Sequence, residues 1–148
     1  MNTATATTNT VLHQVQALLK YTYGLVPIVA GLDKFTNILT DWEQYLHPAL
    51  ANALPFSPHT FMLIVGVIEI IAGMLVLVKP RIGAYVVMIW LIGIALTLIA
   101  SGKYLDVAVR DLVMAIGAYA FAKLSELDNR KTVADNLSGS FGEHALVK

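Results

Sequence analysis

From Ile82 to Ala100 the chain runs without a single charged residue. No other feature constrains the fold as strongly. An α-helix rises about 1.5 Å per residue, so roughly 20 apolar residues cross a hydrocarbon core of about 30 Å. Inside lipid each backbone N–H and C=O needs an internal partner, which makes such a run helical. A surface helix of a soluble domain would turn a charged stripe toward water. None is present here.

The flanking residues repeat the pattern. Lys79-Pro80-Arg81 and Ser101-Gly102-Lys103 read as tight turns on either side of the run. Before the first turn, Phe61 to Val78 is apolar except for Glu69. After the second, Tyr104 to Leu124 carries Asp106, Arg110 and Asp111 in its first half. Val11 to Leu39 is apolar with scattered polar residues, most strongly so from Leu25 to Leu32. Pro27 is expected to kink this helix without ending it, because neighbouring helices re-satisfy the freed carbonyl. The expected spans are residues 15–39, 60–78, 82–100 and 104–124. The fold class is all-α, an up-down four-helix membrane bundle forming one domain over residues 11–124.

Composition agrees. Of the residues, 57% are hydrophobic and 14% charged, against about 25% charged in a typical soluble domain. The 10 basic and 10 acidic residues balance, and no basic stripe offers itself to nucleic acid. Cysteine is absent, which excludes thiolate nucleophiles, disulfide exchange and iron–sulfur ligation. No Lys or Arg precedes Lys20, so the first apolar stretch reads as a retained helix, not a secretory signal. Residues 1–10 are Thr-, Asn- and Ala-rich and are expected to be disordered. Residues 125–148 are polar and are expected to form a mobile cytoplasmic tail.

Thr40 to His59 is the one long connection. Trp42, Tyr45, Leu46, Leu50 and Leu54 place an apolar-aromatic stripe on one side. This predicts a short interfacial helix between helices one and two, ended near Pro55 and Pro58. Trp42 and Tyr45 are its expected interfacial anchors.

Four crossings put both termini on one side. That side carries Lys20, Lys79, Arg81, Lys123, Arg130 and Lys131, and the other Lys34 and Lys103. Positively charged loops stay inside, so both termini are expected in the cytoplasm, with the Trp42 loop outward. Gly24 and Gly31 share one helix face, as do Gly66 and Gly73, and small residues let membrane helices approach closely.

This topology gathers Asp33, Lys34, Glu69, Arg110 and Asp111 in the outer half of the bundle, Arg110 and Asp111 roughly 10 Å deep at 1.5 Å per residue. A charge at the bilayer centre costs at least about 2.5–3.5 kcal/mol, so such groups are expected to face inward and pair. Asp106 stands four residues before Arg110 and offers it a second partner along the helix. Two cations against three carboxylates leave one carboxyl to carry a proton, and Glu69 at mid-span is the candidate. The cluster reads equally as a structural network that sets helix register or as a proton, headgroup or quinone site. His13, His47, His59 and His144 lie outside the deep spans, so no metal or haem site is expected. No nucleophile motif, phosphate loop or dinucleotide fingerprint is present.

Three segments carry a family resemblance. Gly31-Leu32-Asp33-Lys34-Phe35 resembles the AGLxKL-type segment of DoxX-like membrane proteins. Gly66-Val67-Ile68-Glu69-Ile70-Ile71-Ala72-Gly73 is similar to the G-x-x-E-x-x-x-G second helix of that family, and Arg110-Asp111-Leu112 to its fourth-helix K/R-D-L segment. The resemblance covers about Leu18 to Leu124, and the Trp42 loop is longer than in the plainest members. It implies a four-helix bundle with inner termini in a bacterial inner membrane. It also implies a role as accessory subunit of a quinone-linked redox complex, with a quinone as the nearest cofactor. The residues themselves leave two alternatives: a small transporter or proton-conducting element using the buried charges, and a membrane scaffold whose outer loop holds a partner. A homo-oligomer is compatible with each.

Overall fold

The computed structural model describes residues 3–46, 51–52 and 55–145, with side chains for residues 8–46, 51–52, 55–128 and 130. Among these residues the chain is all-helical. It forms α1 (Thr3–Asp33), a 3-10 turn (Trp42–Tyr45), α2 (Pro58–Val78), α3 (Pro80–Ser101) and α4 (Leu105–Ala145). Local chemistry explains the boundaries. Ser57 caps α2 by accepting from the Thr60 N–H at 3.2 Å, and Pro58 fills the first turn, where a missing N–H does no harm. Lys79 alone links α2 to α3, and Pro80 begins the next helix. Gly102 ends α3 in the left-handed region at φ 66°, which a residue without Cβ adopts freely.

α1 ends at Asp33, six residues short of the expected limit at 39. The Asp33 side chain is the reason. Its carboxylate accepts from the Ile38 and Leu39 N–H groups and the Thr36 hydroxyl, offering the backbone a partner other than the helix. Asn37 completes the turn at φ 50°. The helix passes through Pro27. It starts at Thr3, inside the stretch expected to be disordered, and α4 likewise runs on to Ala145 through the expected mobile tail. Extending an existing helix adds a hydrogen bond for each residue ordered, without a new nucleation step. Between Thr40 and His59 the described residues form a 3-10 turn over Trp42–Tyr45, capped by Asp41. Residues 47–50 and 53–54, including His47, lie outside the described residues.

α1 packs along α2, and α3 along α4. The α1–α2 contact is glycine to glycine. A Cβ on Gly73 would collide with the Gly24 carbonyl, and one on Gly31 would stand 2.5 Å from the Gly66 carbonyl oxygen. Seven residues forward on α1 thus match seven back on α2. Alanine plays the same part between α3 and α4, where Ala84, Ala115, Ala118 and Ala122 pack with Val87, Leu91 and the fully buried Phe121, and Val76 of α2 joins the same cluster. A second cluster joins Ala95, Leu98 and Ala108 to Tyr45 and Tyr104.

Large apolar side chains cover the outside, among them Leu18, Ile71, Ile89 and Ile116, each about 60–70% exposed. Contiguous apolar surface of this kind needs a cover other than water. Thr8–Asp33, Pro58–Val78 and Pro80–Ser101 are long and apolar enough to cross a membrane. α4 is set apart from these three by Asp106, Arg110 and Asp111.

Candidate functional site

The buried ionisable residues gather around the end of α1. Asp33, Lys34, Glu69 and Asp111 are all buried. Glu69 is in the middle of α2, one turn from Gly66, and the missing side chain there admits Lys34, whose Cβ would be 3.2 Å from a Cβ on Gly66. The Lys34 ammonium donates to Glu69 Oε2 at 2.6 Å, with both side chains under a tenth exposed. A charge-assisted bond this short is among the stronger polar contacts a protein makes.

Trp42 closes the pair off. Its ring centroid lies 3.7 Å from Lys34 Nζ, so the π face takes up part of the positive charge. Its indole N–H donates to Asp33 Oδ2 at 2.8 Å. Asp33 therefore holds two backbone N–H groups, a hydroxyl and an indole, and ties the Trp42 loop to the end of α1. Tyr45 continues inward, its ring 4.7 Å from that of Tyr104 and tilted 60°. The two expected interfacial anchors thus turn their rings onto the protein. Trp42→Phe keeps the ring but removes the donor to Asp33. It should cost about 1.5 kcal/mol, the low end for a hydrogen bond to a charged group. Thermal unfolding in detergent measures it, and an unchanged midpoint would show the bond to be idle.

Glu69, expected to carry the surplus proton, is instead the carboxyl with a lysine on it. Asp33 has neutral donors only, and Asp111 is a second buried carboxyl facing no buried cation among the described residues. Its neighbour Arg110 has Nε 3.7 Å from Asp111 Oδ1, yet the Arg110 side chain is 66% exposed. The expectation that Arg110 faces inward is corrected by this exposure. Successive helical residues point about 100° apart, so only one of the two can share the inner face of Ala108, Ala115 and Ala118. Asp111 occupies that face, within electrostatic reach of Glu69. The expected Arg110–Asp106 pairing gives way to the contact with Asp111.

Trp90 joins the site without having been singled out by sequence. Its indole Nε1 lies 3.5 Å from Glu69 Oε1, a long contact from α3 onto the same carboxylate. A signal for it exists: Glu69 stands ten residues before Lys79 and Trp90 eleven after it, so a tight turn at Lys79 brings them level. Tyr23 is a second such residue. Its hydroxyl donates to the Met114 carbonyl at 2.8 Å, and its ring stacks on Phe121 at 6.2 Å, bridging α1 to α4.

The histidines described are peripheral. His59 Nδ1 lies 3.1 Å from Glu43 Oε1, and His13 is 4.0 Å from Asp128, both on the surface. The His144 side chain lies outside the described residues. Among the described residues no group of three His, Asp or Glu is placed to hold a metal ion. At the other end of the bundle Glu126 binds Lys123 at 3.2 Å and Tyr85 at 3.0 Å, and these contacts hold its carboxyl below the usual carboxylate range.

The chain matches no protein-family model, no curated protein and no solved structure.

Proposed function

We propose that the chain is an integral membrane protein and an accessory subunit of a quinone-linked redox complex in a bacterial inner membrane. In this reading the helices form an up-down bundle of four spans with both termini cytoplasmic, and α4 crosses despite its charges. Asp111 is sheltered inside, and Arg110, about two turns from the outer end, extends its guanidinium toward the headgroups. The segment from Thr40 to His59 lies at the outer interface. The Lys34–Glu69 pair beneath Trp42 carries the reading. Those charges are engaged in fastening the outer loop to the helices, which makes a rigid platform for a partner. With no cysteine, and no histidine deep in a span, the chain would rely on that partner or a bound quinone for electron transfer.

The test is mass spectrometry of what accompanies the tagged protein from its native membranes in mild detergent. A stoichiometric oxidase or dehydrogenase is expected. Recovery of the chain alone, or only with copies of itself, would sink the proposal. Replacing Trp42 and Tyr45 by Ala should release the partner if the outer loop is the contact.

One observation favours a second reading, a proton-conducting element. Asp111 is a buried carboxyl without a buried cation, its neighbour Arg110 being 66% exposed, and intramembrane carboxyls of this kind serve proton relays. If so, liposomes holding the protein should conduct protons, and Asp111→Asn should remove at least nine-tenths of that flux. A wild-type protein that conducts nothing excludes this reading.

A further inference from the structure

At the end of the bundle opposite Trp42, two cations converge on one carboxylate. Arg81, at the start of α3, has Nε 3.4 Å from Glu126 Oε1, and Lys123 on α4 has Nζ 3.2 Å from Glu126 Oε2. Lys79, also exposed, stands two residues before Arg81. Glu126 cancels one of these charges, and the cluster stays positive. Neither cation is used up by its pairing. The Arg81 and Lys123 side chains are 56% and 48% exposed. Arg81 meets Glu126 through Nε, and its two terminal nitrogens have no hydrogen-bond partner among the described residues.

What lies beside the cations is apolar and aromatic. Lys123 Nζ sits 5.8 Å from the Tyr85 ring centroid and 5.6 Å from that of Tyr119. Along the same helices, toward the middle of the bundle, Ile89 and Ile116 are 64% and 69% exposed. The surface is thus cationic at its end, aromatic next, and aliphatic further in. That order matches one kind of molecule: an amphiphile with an anionic head and hydrocarbon tails.

We propose that the Arg81–Lys123 end of the α3–α4 pair binds the phosphate headgroup of an anionic phospholipid, with Tyr85 and Tyr119 against the glycerol region and the acyl chains along Ile89 and Ile116. Basic clusters between membrane helices on the inner side hold such headgroups, each cation near the surface contributing about fivefold in affinity. Guanidinium nitrogens left free by a pairing through Nε suit a phosphate, whose oxygens accept a bidentate fork. Tyr85 is the positioning residue: its hydroxyl, 3.0 Å from Glu126 Oε1, keeps the carboxylate on the α3 side. The site is independent of any redox partner.

The full chain would be reconstituted in phosphatidylcholine vesicles containing a minor fraction of phosphatidylglycerol, and the relative association of the two lipids read by spin-labelled analogues. The wild type should prefer phosphatidylglycerol. Arg81→Gln with Lys123→Gln should lower that preference by about fivefold for each cation removed, while Lys103→Gln at the opposite end leaves it unchanged. Glu126→Gln breaks the same contacts but raises the local charge, so it should strengthen retention. An undiminished preference in the double variant, an equal loss in Lys103→Gln, or weaker retention in Glu126→Gln would each overturn the proposal. So would full displacement of the lipid by millimolar inorganic phosphate, which would mark a small-ion site.

Discussion

Lys34→Met should lower the unfolding free energy by about 3–5 kcal/mol, the usual cost of stranding one charge of a buried pair. Glu69 would keep only the long contact from Trp90 at 3.5 Å, inside a bundle where its side chain is 9% exposed. The double variant Lys34→Met/Glu69→Leu should recover most of the loss, because replacing both members of a buried pair by apolar groups is often neutral or better. Trp42 would keep its bond to Asp33 in both variants, so the loop stays attached and the comparison isolates the charge. Denaturant-induced unfolding in mixed detergent micelles measures each. A Lys34→Met loss no larger than the roughly 0.5 kcal/mol of an ordinary surface change would mean that the pair does not form in the membrane.

Gly66→Val should be strongly damaging. A Cβ there would stand 2.7 Å from the Gly31 carbonyl oxygen, 3.2 Å from Lys34 Cβ and 3.3 Å from the Phe35 ring. The first neighbour is backbone and cannot rotate away, so α1 and α2 must part. The same displacement draws Lys34 off Glu69. The expected loss is about 3 kcal/mol, the upper end for overpacking, and the variant should show faster proteolysis of the Trp42 loop. Gly93→Ala is the control, since a Cβ at Gly93 meets nothing within 4 Å. It should be neutral, or stabilising by about 0.5–1 kcal/mol through helix propensity. Equal effects at the two positions would refute the close-contact explanation.

Both predictions concern residues that stand out in the sequence, and the reasons are local. A charge inside an apolar run is conspicuous, so the placement of Asp33, Lys34, Glu69, Arg110 and Asp111 within apolar stretches is legible from their neighbours along the chain. Punctuation is also local. Pro80 and Gly102 mark helix ends because one lacks an N–H and the other tolerates a positive φ. The three apolar helices follow from those marks and from the scarcity of charge between them.

Pairing is not local, and here the tertiary structure decided. Whether Glu69 takes a proton or a lysine depends on the rotation of α1 about its axis relative to α2, which the Gly31–Gly66 contact sets. Whether Arg110 or Asp111 faces inward depends on which of them shares a phase with the alanines that pack on α3. Trp42 looks like an interfacial anchor because its type favours that zone. Its place over Lys34 requires the loop to be drawn back by Asp33, a contact across nine residues. Trp90 enters the site because the turn at Lys79 sets it level with Glu69. The sequence by itself determined where the apolar helical stretches lie and that charges fall within them, because hydropathy and helix punctuation are properties of neighbouring residues. Only the tertiary structure decided who partners whom, because that depends on the relative phase of helices far apart along the chain.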